Sequence, residues 1–83
     1  MLIQTFNNIE STYDSTERRK RRINQEYKLW IRIAKENYAE IVIGLAVLTD
    51  KQIEWEEKNE EMGNIYKKLI KKLRKHMKKM EVA

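Results

Sequence analysis

The sequence predicts an all-α fold: two long antiparallel helices, about 15–47 and 50–80, preceded by a short N-terminal helix or arm. Three observations lead there. The 83 residues include no proline and only two glycines, so little interrupts a helical pattern. Apolar residues recur at three- and four-residue intervals along most of the chain. One stretch, residues 41–50, reads as the place where the chain reverses. The length allows a single domain, 1–83, with a core that is marginal by itself.

At the N-terminus, Leu2, Ile3, Phe6, Ile9 and Tyr13 form a helical stripe that is expected to pack on the main body. Asp14 or Ser15 is a candidate cap for the first long helix, with Glu17 placed near its positive end. Beyond it Ile23, Tyr27, Trp30 with Ile31, Ala34, Tyr38, Ile41, Leu45 and Leu48 recur at helical spacing. A second line, Leu29, Ile33, Ile43 and Val47, widens the stripe toward the hinge. An unbroken helix here runs for roughly 50 Å, and a kink is accommodated at Asn37 or Gly44.

Residues 41–48 carry no polar side chain, although 37% of the chain is charged. Thr49 and Gln52 then have the spacing of a capping box, which marks Thr49 as the start of the second long helix. The β-branched Ile41, Val42, Ile43 and Val47 also suit a strand, but no other stretch offers it a sheet partner. The second helix opens acidic, with Glu54, Glu56, Glu57, Glu60 and Glu61, and closes basic, an order that opposes the helix dipole favourably. Met62, Ile65 with Tyr66, Leu69 with Ile70, Leu73, Met77 and Met80 mark its apolar face, and Gly63 is its weak point. Two helices alone leave one side of 41–48 wet. A second protomer is the expected cover, making a homodimer through Ile41, Ile43, Leu45, Val47 and Leu48.

A net charge of +5 favours polyanionic partners. The absence of cysteine excludes disulfides, zinc knuckles and thiol nucleophiles, and a small fold without such staples points to the cytoplasm. No stretch approaches the ~20 apolar residues of a transmembrane segment, and the N-terminus lacks the pattern of a signal peptide. An enzyme is not expected, nor a cofactor or metal. His76 is the single histidine and has Lys75, Met77 and Lys78 around it, and no glycine-rich phosphate loop is present. The glutamates read as a solvated face or as partners for the basic end of another protomer.

Two blocks carry the expected chemistry. The first is Arg18, Arg19, Lys20, Arg21 and Arg22, followed by Lys28. The second is Lys67, Lys68, Lys71, Lys72, Arg74, Lys75, Lys78 and Lys79. In a hairpin hinged at Thr49 the two blocks meet at one end and repel, and a bound polyanion relieves that repulsion. The lysine block also suits an anionic membrane surface or a plain solvated face.

Thr16, the cluster 18–22, Gln25, Glu26, Lys28 and Trp30 resemble the arginine-rich RNA-binding peptide of lambdoid phage antitermination N proteins. The resemblance covers about fifteen residues. It implies that Arg18, Arg19, Arg21 and Arg22 hold an RNA backbone and that Trp30 stacks on a loop base. Residues 48–55 resemble the start of a homeodomain recognition helix, but Glu56, Glu57, Glu60 and Glu61 follow where a major groove demands cations. The expected function is therefore nucleic-acid binding, RNA ahead of DNA, by a small regulator or inhibitor, such as a phage-type accessory protein acting on a host RNA or ribonucleoprotein. The alternative is a helical interaction module that oligomerises or masks an acidic protein partner.

Overall fold

The computed structural model describes residues 16–82. They form three helices: α1 (Thr16–Ala34), α2 (Tyr38–Glu56) and α3 (Glu60–Val82). The N-terminal stripe and the Asp14 or Ser15 cap lie outside the described residues. No strand occurs among the described residues.

Antiparallel pairing of two long helices is present, in α2 and α3. Tyr38 at the start of α2 donates to Glu81 at the end of α3 (2.9 Å), while Gly63 passes close under Glu56 at the other end. The boundaries differ from those expected. The chain reverses at residues 57–59, not at Thr49, and the expected first long helix is divided at residues 35–37. The octet 41–48 is thus the middle of α2 and not a hinge.

Local chemistry accounts for both turns. Asn37 caps α2, its side chain accepting from the Glu40 amide at 3.2 Å. Asn59 caps α3, its Oδ1 accepting from the amides of Glu61 (3.1 Å) and Met62 (3.4 Å). Thr49 caps nothing. Its hydroxyl donates to the Leu45 carbonyl one turn back, at 2.8 Å, the bond a threonine makes inside a helix. Asn37→Ala and Asn59→Ala are each expected to cost about 1 kcal/mol of stability in chemical denaturation, and Thr49→Ala close to nothing. A Thr49→Ala loss as large as the asparagine losses would return the hinge to Thr49.

The core is built from one face of each helix: Ile23, Tyr27 and Ala34 from α1, Ile41 and Leu48 from α2, and Met62, Tyr66, Leu69, Ile70 and Leu73 from α3. α1 runs parallel to α3. Thr16 meets Asn59 (3.3 Å), Lys20 meets Glu61 (3.4 Å), and the Lys35 carbonyl accepts from His76. The architecture is an up-down-up three-helix bundle.

This arrangement corrects the expected dimer interface. Ile41 and Leu48 are fully buried inside the protomer, and Leu45 and Val47 are half-buried against the same core. Only Ile43, 55% exposed, remains free to meet another chain. The physical reason is α1. Because the chain breaks at 35–37, α1 folds back and covers part of α2, with Trp30 seated on Gly44, and leaves Val42, Ile43 and Ala46 exposed.

Gly44 and Gly63 are the close approaches. A Cβ on Gly44 would lie 2.3 Å from Cη2 of Trp30, so the indole sits directly on the α2 backbone there. A Cβ on Gly63 would lie 3.1 Å from the Glu56 Cα, so glycine lets α3 leave the turn pressed against the end of α2.

Candidate nucleic-acid interface

α3 is held by its apolar face, so its polar face must turn outward. Its cations fall in two adjacent lines along the axis, Lys67, Lys71, Arg74, Lys78 and Lys68, Lys72, Lys75, Lys79. Each line has successive members three or four residues apart, which keeps them on one side of a helix. All eight are exposed. The ridge, Lys67 to Lys79, spans roughly 18 Å at 1.5 Å per residue.

No carboxylate occurs in α3 between Glu61 and Glu81. Lys67 reaches Glu56 across the helix pair at 3.2 Å. Among the described residues, Lys68, Lys71, Lys72, Arg74, Lys75, Lys78 and Lys79 make no ion pair. This is the largest uncompensated charge on the described surface. His76, at the edge of the cationic face beside the apolar one, is tied to the Lys35 carbonyl and joins the last turns of α3 to the α1–α2 turn.

The arginine block is placed differently from expectation. Because α1 is parallel to α3, residues 18–22 lie beside the acidic start of α3, not beside its basic end. About twelve residues of α3, or some 18 Å, separate that level from Lys75. The expected mutual repulsion of the two blocks is therefore absent. Lys20 bridges Glu17 (3.0 Å) and Glu61 (3.4 Å). The Glu17 hydrogen bond, with help from Glu61, holds its ammonium above the ordinary lysine value. The Arg19 guanidinium lies over the Trp55 ring at 5.9 Å, with Lys58 at 6.0 Å from the same ring. Arg18 and Arg22 are engaged as well, though both are exposed, as are Arg21 and Lys28.

Trp30 does not stand ready for a base. It is half-buried, seated on Gly44 and packed at 6.0 Å against the Tyr27 ring. Three of the glutamates pair within the chain: Glu54 with Lys51 (3.4 Å) and Lys58 (3.9 Å), Glu56 with Lys67 (3.2 Å), and Glu61 with Lys20 (3.4 Å).

Sequence reasoning missed a cleft between α2 and α3 of about 510 Å³. Lys67, Lys68, Lys71 and Arg74 line it from α3, and Thr49 and Gln52 face them from α2. No signal in the sequence finds it, because it exists only where two helices lie side by side. The caps Asn37 and Asn59 did carry a signal. Asn37 has Glu40 three residues on, the capping spacing, and Asn59 directly precedes the apolar face of α3.

No family model matches the sequence, and no curated protein or solved structure matches it. No helix among the described residues is long and apolar enough to cross a membrane.

Proposed function

We propose that this is a small nucleic-acid-binding protein whose contact surface is the cationic face of α3, acting as a regulator through occupancy of its target and not through catalysis. One observation carries the reading: seven cations on two adjacent lines of one helix, with no ion pair among the described residues. Keeping such a row together destabilises the free protein through self-repulsion, and a polyphosphate chain relieves this while condensed counterions are released. RNA is favoured over DNA. The exposed Arg18, Arg21 and Arg22 add planar forks at the far end of the bundle, and the homeodomain-like stretch 48–55 runs into Glu56, Glu57, Glu60 and Glu61 instead of a basic groove-reading face.

The test is a salt titration against a mixed RNA pool, with heparin as a comparison polyanion. Log affinity is expected to fall linearly with log salt. Binding to RNA that is weak at low salt and insensitive to it would sink this reading.

A second reading rests on a separate observation, the exposed apolar face of α2. Val42, Ile43 and Ile53 are 44%, 55% and 63% exposed, and Ala39 and Ala46 share that side. On this reading a second copy covers that face. Sedimentation should then show a dimer in the parent and a folded monomer for Ile43→Glu, and a parent that stays monomeric at high concentration removes it.

A further inference from the structure

We infer that the cleft between α2 and α3 seats one unstacked adenine nucleotide of a single strand, an inference that rests on the nucleic-acid reading above. The cleft has three chemically distinct parts, each matched to one part of a nucleotide.

The first part is cationic. Lys67, Lys71 and Arg74 form the α3 wall, and no carboxylate lines the space. Phosphate is the group such a wall accepts. The second is apolar. Ile70 contributes to the lining while only 5% exposed, so it presents a small hydrophobic patch from the core at the floor of the cleft. The third is polar and neutral. Gln52 and Asn64 place two side-chain amides on the lining, and neither makes a hydrogen bond among the described residues. Thr49 stands with them, its proton already given to the Leu45 carbonyl, so its oxygen is left as an acceptor.

Free amides offer a donor and an acceptor side by side, the pattern that pairs with the N6 and N7 edge of adenine. The Thr49 acceptor adds a site for the second N–H of the adenine amino group, whereas uracil has a single donor on its pairing edge, N3–H, which an amide pair already uses. At about 510 Å³ the space is large enough for a single nucleotide. A base reaches it only when unstacked and unpaired, which selects single-stranded nucleic acid. The cations also extend past the cleft. Lys72, Lys75, Lys78 and Lys79 continue the ridge toward the C-terminal end of α3, where further phosphates of a strand would follow. A free mononucleotide uses only the part within the cleft. The ridge matches roughly five nucleotides of a stacked strand at 3.4 Å each.

The test uses the full chain and fluorescein-labelled oligoadenylate and oligouridylate of about eight nucleotides, longer than the ridge, read by anisotropy across a salt series. The parent is expected to prefer oligoadenylate by about fivefold or more, the lower bound for one bidentate amide–adenine pair. The double variant Gln52→Ala/Asn64→Ala should bind both strands equally, with the parent's salt slope, because it keeps every cation. Equal affinity of the parent for the two strands, or a preference that survives in the double variant, overturns the seat and leaves the nucleic-acid reading standing. Failure to bind either strand overturns that reading, and the seat with it. Competition by AMP as effective as that of unlabelled oligoadenylate assigns the cleft to a free nucleotide and overturns its role on a strand.

Discussion

Leu48→Glu is expected to unfold the protein, while Ile43→Glu, five residues earlier in the same apolar octet, leaves it folded. Leu48 has no exposed surface and packs in the common core, whereas Ile43 is 55% exposed on the outer side of α2. The first substitution forfeits about 2–3 kcal/mol of apolar burial. It also forces a carboxylate into the core at several kcal/mol more, because the cation one turn on, the buried Lys51, is already paired with Glu54. A chain of this size holds roughly 4–12 kcal/mol of stability in all, so the loss takes most or all of it. At Ile43 the charge stays in water, and the change is expected to fall within about 0.5 kcal/mol. Far-ultraviolet circular dichroism and thermal melts of both variants decide the matter. Equal, large losses at the two positions would mean that the octet is covered on every side, as a hinge buried in a dimer requires.

Neutralising Lys71, Arg74, Lys75 and Lys78 together with glutamine should move stability and binding in opposite directions. If each contacts one phosphate of a single strand, the slope of log affinity against log salt flattens by roughly three units, at about 0.7 per contact. The same four changes remove like charges one turn apart on the same face of α3, so the unbound variant should melt above the parent. A surface that lowers the stability of the free protein while serving a ligand behaves in this way. Alanine at Arg18 and Arg21 is expected to flatten the slope by less than half as much. Arg19→Ala should lower the melting temperature, because it removes the cation over Trp55. Should the α3 variant keep the parent's slope, its lysines are a solvated face, and the apolar side of α2 becomes the leading surface.

Much of α3 was legible in the sequence. Its apolar residues repeat at the helical period, its charges run from acid to base, and its eight cations fall on one side by spacing alone. The helical class was equally plain, since a chain without proline offers little to stop a helix. The turns were not. A threonine oxygen serves as a cap at a helix start and as a partner for the preceding turn within a helix, and the two uses look alike along the chain. Thr49 takes the second, and Asn37 and Asn59 take the capping role.

What sequence alone determined is therefore local: helix as the backbone state, the apolar face of each helix, and a net positive chain with its charges in blocks. What tertiary structure decided is which blocks meet. A chain with one reversal brings the ends 18–22 and 75–79 together. A chain with two reversals sets α1 parallel to α3 and parts them, placing the arginines beside Glu61 and leaving the lysines alone at the other end. The same count decides what covers residues 41–48, since a second reversal supplies α1 from within the protomer. Each cap adds only about 1 kcal/mol, but the number of turns sets the relative direction of every pair of helices, and so the placement of every charge they carry.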